Sequence, residues 1–177
     1  MFAFDVDTEL RIALLERHHA DPLYRLVLAN RERLGRWLPW AWEASLESQS
    51  DFIERGLEQF ARGDGFQAGI WLGGELAGGI GLHYLDRVVG ATEVGYWLGS
   101  GFEGRGIMVR SVAATCQLLF GEYGLRRVEI RCHPDNARSR AVPTRLGFRE
   151  GEVLAQPGSA QERVVYSLIR EDWRGGA

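Results

Sequence analysis

Between Glu93 and Val109 the chain reads EVGYWLGSGFEGRGIMV. Apolar and aromatic residues run up to Leu98, and Gly99, Gly101, Gly104 and Gly106 then fall within eight residues. Such a stretch excludes one continuous helix or strand. It predicts a strand, a tight turn and the opening of a helix. Glycine lets the backbone turn sharply and lets a ligand approach with no Cβ in the way. The first N–H groups of the following helix have no partner inside it and carry partial positive charge. A glycine turn that feeds a helix N-terminus is therefore a ready site for phosphate.

The rest of the composition narrows the class of protein. A chain of 177 residues can bury a sizeable core in one domain, and residues 1–177 are read as a single domain. With 45% hydrophobic residues it is globular rather than disordered. A net charge of −3 leaves no basic excess to displace counterions, so nucleic acid is not the expected partner. An amine or cationic substrate is compatible with that sign. Cys116 and Cys132 form no disulfide framework, and no His or Cys spacing suggests a metal site. Asp5, Asp7 and Glu9 stand where a signal peptide would be positive, and no long apolar run follows. A cytoplasmic protein with no membrane partner is the expectation.

Along the chain, Leu10 to Leu15 reads as a first strand. Asp21 and Pro22 suit an N-cap and a first helical position, and Leu23, Leu26, Val27 and Asn30 continue a helix to about Arg33. Leu34 to Trp42, LGRWLPWAW, is interrupted by Gly35 and Pro39 and is not one regular element. Its rings either cover the core or line a substrate pocket, and both roles can hold together. Ser45 or Ser48 caps a second helix that Gly63-Asp64-Gly65 ends. Phe66 to Leu72 and Glu75 to Leu85 are strands joined by a Gly73-Gly74 hairpin, and Gly78, Gly79 and Gly81 indicate a bulge or a close backbone neighbour. Ala91 to Leu98 is the strand that enters the glycine turn. A helix from about Gly104 to Tyr123 buries Val112, Ala113, Cys116, Leu119, Phe120 and Tyr123 on one face. Arg127 to Cys132 returns as a strand parallel to Ala91–Leu98. Asp135 or Asn136 caps a last helix to Leu146. Phe148 to Leu154 and Arg163 to Ile169 are the final strands, with a looser segment from Ala155 to Gln161 between them.

The glycine turn can be aligned in three frames. Gly99 to Gly104 matches G-x-G-x-x-G, the dinucleotide fingerprint of nicotinamide-dependent oxidoreductases. That fold needs a doubly wound parallel sheet, whereas here the turn follows an antiparallel run. Gly99 to Gly106 approaches the phosphate loop G-x-x-x-x-G-K-[ST], but Arg105 replaces the lysine and Gly106 the hydroxyl that would hold Mg²⁺. The third frame is Glu103-Gly104-Arg105-Gly106-Ile107-Met108.

In that frame the ordered set Arg36–Trp40, Glu93–Leu98, Glu103–Met108, Arg127–Cys132, Asn136–Arg140 and Arg145–Phe148 resembles the GCN5-related N-acetyltransferases (GNAT). The resemblance is to the Rim-type branch, which includes ribosomal-protein N-terminal acetyltransferases, and it covers nearly the whole chain. It implies a mixed α/β fold. Its central, mostly antiparallel sheet would have about six to seven strands, splayed between the fourth and fifth and flanked by about four helices.

The resemblance also implies an enzyme that moves the acetyl group of acetyl-CoA to a primary amine, such as a peptide N-terminus, by direct transfer in a ternary complex. Backbone amides of Gly104, Arg105, Gly106, Ile107, Met108 and Val109 would bind the cofactor's pyrophosphate. Glu103 stands where the family pattern has Gln or Arg, and its carboxylate must turn away from the phosphates. The edge formed by Tyr96, Trp97 and Leu98 would pair with the pantetheine arm. Asn136 would cap its helix and touch that arm. Glu93 is the candidate general base, with a salt bridge to an arginine as its alternative role and His83 as a second candidate. Many family members protonate the leaving thiolate with a tyrosine, at the position where this chain has Pro143. Ser139 or Cys132 is left as donor, Ser139 being preferred. Trp37, Leu38, Pro39, Trp40 and His83 would border the amine. A module that binds CoA without catalysis is the non-enzymatic alternative. The oligomeric state does not follow from the residues, and a homodimer fits the reading.

Overall fold

The hairpin at Gly73-Gly74 sets the register of the first part of the sheet. In the computed structural model, which describes residues 2–155 and 161–175, these glycines have φ of +57° and +86°. Two successive positive φ values give the turn type whose twist matches paired strands. It joins β3 (Gln67–Leu72) to β4 (Glu75–Asp86), and β2 (Leu10–Leu14) and β1 (Ala3–Asp5) add on the far side of β3, all antiparallel. Ile70 lies opposite Gly78 but Trp71 lies opposite Leu76, so Ala77 is an extra residue in β4. This is the irregularity that the glycines of β4 predict.

The sheet continues through β5 (Ala91–Leu98), β6 (Arg127–Cys132), β8 (Glu162–Ile169) and β7 (Arg149–Ala155), in the hydrogen-bonded order β1-β2-β3-β4-β5-β6-β8-β7. β5 and β6 are parallel, whereas β6–β8 and β8–β7 are antiparallel. Among the pairings described, only β5–β6 is parallel, which rules out a doubly wound dinucleotide fold. The eighth strand is β1, whose three residues are too few to show alternation in sequence.

The chain divides into two compact units, Met1–Gly81 with Tyr96–Ile107, and Leu82–Gly95 with Met108–Ala177. The first holds α1 (Ala20–Ala29), α2 (Arg31–Gly35) and α3 (Leu46–Ala61). A single helix from Pro22 to Arg33 was expected. Instead α1 starts at Ala20, after a 3-10 turn over Arg17–His19, and the helix breaks at Asn30, whose φ of −118° and ψ of 10° are not helical. Asp21 is not the cap but sits in the first turn, paired with Arg25 at 3.0 Å. Ser45 caps α3, and Ser48 closes a reciprocal capping box. Leu15, Ala20, Leu23, Ile53 and Leu76 form one buried cluster, and Val27, Leu34, Ala41 and Ala44 another. Burying each leucine, isoleucine or valine side chain is worth about 1.5–3 kcal/mol.

The second unit holds α4 (Ile107–Gly121) from Met108 on, and α5 (Ala137–Arg145). α4 begins three residues later than the sequence predicts, because Gly104 and Gly106 take positive φ that a right-handed helix excludes. Val112, Cys116, Leu119 and Phe120 are buried, as are Val128, Ile130, Val164, Tyr166 and Leu168, which occupy one face of β6 and β8. Five α-helices and eight strands thus stand among the described residues, against about four and six to seven expected. Of the looser segment expected from Ala155 to Gln161, residues 156–160 lie outside the described residues.

Candidate active site

The glycine turn opens where β5 ends. Gly99 is extended, and its N–H donates to the Ala77 carbonyl at 2.8 Å. A 3-10 turn over Ser100–Phe102 follows, and then Gly104 and Gly106 have φ of +73° and +69°. A Cβ built at either of these two would meet no atom within 4 Å. Open space beside the left-handed residues, and a helix N-terminus directly after Gly106, form a cradle for an anion. The first turn of α4 carries no acidic side chain, and Arg105 is exposed beside it. The residues therefore fit a pyrophosphate. Glu103 does not oppose it, because its carboxylate pairs with Arg33 Nη1 at 2.6 Å.

Arg33 does more than neutralise Glu103. It donates to the Leu98 carbonyl and, at 3.3 Å, to Asn30 Oδ1. That same Oδ1 accepts from the Ser100 N–H at 2.8 Å, while Asn30 Nδ2 donates to Leu26 O at 2.9 Å. Asn30 is buried. Periodicity placed Asn30 and Arg33 inside a helix and hid both. The signal that could have exposed Asn30 is its residue type, a poor helix former that bonds its own backbone.

At the end of β5 the close packing is severe. A Cβ at Gly78 would lie 2.1 Å from the Trp97 carbonyl oxygen, and one at Gly79 would lie 2.8 Å from the Trp97 indole nitrogen. Of the edge proposed for the pantetheine arm, the Leu98 carbonyl is already an acceptor for Arg33. β5 and β6 pair only at Ala91–Arg127, Thr92–Val128 and Glu93–Glu129, although β5 continues to Leu98 and β6 to Cys132. The parallel pairing ends at Glu93.

Trp37–Leu38–Pro39–Trp40 belongs to the first unit. Pro39 starts a 3-10 turn that runs to Ala41, and Leu38 packs against the buried cluster of Val27 and Leu34. Trp40 is exposed and meets Trp97 edge-on, with centroids 6.1 Å apart. The neighbouring Trp42 lies over Gly35 and donates to its carbonyl at 2.9 Å. Cover and exposure are thus split within one segment. Leu38 is partly buried against the core, and Trp40 presents a ring.

The reacting-group candidates lie in the second unit. Glu93 is largely covered and faces Arg131 Nε at 3.4 Å. Its neighbour in register, Glu129, is buried and takes Arg127 at 3.1 Å and Arg131 at 3.2 Å, and Tyr84 donates to it at 3.4 Å. Arg131 therefore bridges two adjacent carboxylates that would otherwise repel. Burial pushes the Tyr84 phenol up, and the carboxylates of Glu129 and Glu93 add to the effect. His83 is exposed, and a Cβ at Gly95 would lie 2.2 Å from its Nε2, so Gly95 makes room for the imidazole. Cys132 Sγ and Ser139 Oγ are 3.2 Å apart, and Asn136 caps α5 by accepting from the Ser139 N–H at 3.2 Å. Pro143 stands inside α5 and has no N–H to offer the Ser139 carbonyl. Cys116 is buried in the core, and burial raises its thiol to about 12, so it plays no nucleophilic part. Among the described residues no group of three His, Cys, Asp or Glu side chains could hold a metal ion. None of the helices there is long and apolar enough to cross a membrane.

Comparison with known proteins matches residues 9–149 to the family model described as the acetyltransferase (GNAT) domain. YdaF of Bacillus subtilis (strain 168), whose name assigns it provisionally to ribosomal N-acetylation, is 37% identical over 99% of this chain and 99% of its own length. The ribosomal-protein-serine acetyltransferase of Escherichia coli (strain K12) is 28% identical, over 81% of this chain and 80% of its own. Among solved structures, RimL, an L7/L12 alpha-N-protein acetyltransferase in complex with coenzyme A, superposes with a TM-score of 0.90 at 27% identity. That match covers 97% of this chain and 99% of RimL.

Proposed function

Because this chain belongs to the GNAT acetyltransferases and is an acetyl-CoA-dependent N-acetyltransferase, we propose that its acceptor is the N-terminal amine of a protein, of the ribosomal-protein type. The names of relatives that match it over four fifths of its length or more support that acceptor. One observation carries the donor side. Gly104 and Gly106 hold positive φ beside open space at the mouth of α4. In the same reading residues 1–177 act as one cytoplasmic catalytic domain, and a homodimer is compatible with it.

Acetyl-CoA supplies the acetyl group as a thioester. The amides of Gly104 to Val109 hold its pyrophosphate by their N–H groups, with Arg105 as a nearby cation. Tyr96 and Trp97 offer backbone groups to the pantetheine arm. Glu93 accepts the proton that the amine loses as its nitrogen bonds to the acetyl carbon, directly or through a water. Arg131 holds that carboxylate in place, and His83 is the second candidate base. Ser139 gives its proton to the departing sulfur, and Cys132, 3.2 Å from the Ser139 hydroxyl, orients it. Asn136 fixes the same turn of α5 by capping it. Trp37, Pro39 and Trp40 border the acceptor, with the exposed Trp40 ring as its apolar or cation-facing wall.

The test is release of free thiol from acetyl-CoA with peptides that begin with Ser or Ala, beside a panel of small amines. Turnover with peptides and not with small amines is the expected result. The reverse preference moves the acceptor to a small amine, and no turnover across both panels favours a CoA-binding module. For the base, Glu93→Gln should lower kcat by about 10²–10⁴-fold while CoA affinity changes little. Kinetics that match the parent enzyme up to high pH would remove Glu93 from that role.

A further inference from the structure

We propose that Arg33 and Asn30, on the first helices, are positioning residues for the acetyl-CoA pyrophosphate, and that the Arg33–Glu103 pair is the strap that holds the glycine turn in its binding shape. The inference rests on the reading that this turn binds the pyrophosphate.

The segment from Leu98 to Gly106 has little regular structure to hold it. It contains four glycines and one short 3-10 turn. A chain of this kind loses much conformational entropy when it is fixed. Besides the Gly99 N–H bond to the Ala77 carbonyl, it is held by two side chains about 70 residues earlier in sequence. Asn30 Oδ1 accepts from the Ser100 N–H, which fixes the start of the turn. Arg33 reaches both ends of the approach, the Leu98 carbonyl on one side and the Glu103 carboxylate on the other. Arg33 also donates to Asn30, so the two residues act as one unit. Asn30 is in turn fixed by its bond to the Leu26 carbonyl and by the helix break it causes. With Gly104 next in the chain, the position of Glu103 decides where the left-handed turn begins.

The pair explains an oddity of the sequence. A carboxylate one residue before a phosphate cradle would repel the ligand. Tied to Arg33 with side chains only 32% and 26% exposed, it forms a neutral, partly buried brace. The brace strengthens cofactor binding before any chemistry occurs. Neither Arg33 nor Asn30 touches the reacting atoms in this scheme.

The experiment compares the full-length parent, Arg33→Gln, Arg33→Lys and Glu103→Gln. Binding of CoA and of pantetheine, which lacks the pyrophosphate, is followed by calorimetry, together with steady-state kinetics and thermal melting. Arg33→Gln should raise the KM for acetyl-CoA about tenfold, which corresponds to about 1.4 kcal/mol. Its kcat should fall by less than about twofold, and pantetheine affinity should stay level. Arg33→Lys keeps the charge and loses the fork, so it should recover part of the loss. If Arg33→Gln does not fold, Glu103→Gln reads the same strap from its other end and should raise the same KM. A parent-like KM in the folded variants overturns the strap. A parent enzyme that binds CoA no better than pantetheine instead overturns the pyrophosphate reading of the turn itself.

Discussion

Gly78 and Gly106 would each suffer from a side chain, for opposite reasons. At Gly78 the new Cβ would strike the Trp97 carbonyl oxygen and the Leu98 Cα, at 2.1 and 2.9 Å. Both are backbone atoms of a paired strand and cannot swing aside. Gly78→Ala should therefore cost on the order of 1–3 kcal/mol or more in urea unfolding. At Gly106 a Cβ meets no protein atom, so the cost to folding is the left-handed backbone, about 1–2 kcal/mol. Gly106→Val should leave a folded protein whose CoA affinity is lower by about a hundredfold or more. Normal CoA binding in that variant would show that the ligand lies elsewhere. His19 gives a pH signature at the same scale. Its Nδ1 accepts from the Glu16 N–H at 3.0 Å and so must be unprotonated there. Burial, then the neighbouring His18, lowers its folded pKa below the ordinary 6.5. The unfolded chain then binds more protons, so this contribution is complete above about pH 6.5 and is lost as pH falls through the folded value. Melting followed from pH 7.5 to 5 should show this loss in the parent and a shallower slope in His19→Ala.

A cap and a cofactor contact can be separated in the element α5. Asn136 accepts from the Ser139 N–H, so Asn136→Ala removes a cap worth about 1 kcal/mol. Asn136→Asp keeps the acceptor. If Asn136 only caps, the Asp variant melts and turns over like the parent. If its amide also donates to the pantetheine arm, the Asp variant keeps its stability and loses affinity for acetyl-CoA, which is the expected result. Elements of this kind were legible wherever one side chain meets one backbone group nearby. Gly73-Gly74 as a turn stands where the sequence puts it, and the caps fall on Ser45 and Asn136, in each case one of the two residues that local chemistry offers. The helix break at Asn30 was not legible. Leu26, Val27 and Asn30 keep helical spacing, and the break is maintained by Ser100 and Arg33 bonding to the Asn30 side chain. Long-range partners leave no trace in a local pattern. The onset of α4 was misjudged for a different reason. Periodicity cannot tell a glycine that opens a helix from one held left-handed before it.

For the molecule as a whole, order along the chain carried the fold. A strand, a glycine turn, a helix and a returning strand force the parallel β5–β6 pair, and the turn residues on either side leave only antiparallel partners. What the order could not supply was which charges meet. Glu93 has Arg131 as its partner, and Glu103 has Arg33, although 21 arginines were available in the sequence. The acceptor amine brings its own pH dependence to the reaction. An α-amine titrates near 7.7–8.0, whereas a side-chain or small primary amine titrates near 10.4. Only the neutral amine has the lone pair that attacks the acetyl carbon. kcat/KM for a peptide acceptor should therefore rise with pH and level off near pH 8, whereas a lysine-like amine should still be gaining at pH 9.5. The measurement is thiol release with acetyl-CoA saturating and each acceptor well below its KM. A plateau near pH 8 with both acceptors would mean that a group on the enzyme sets the profile. A rise that persists past pH 9 with the peptide would remove the α-amine as the group deprotonated before attack.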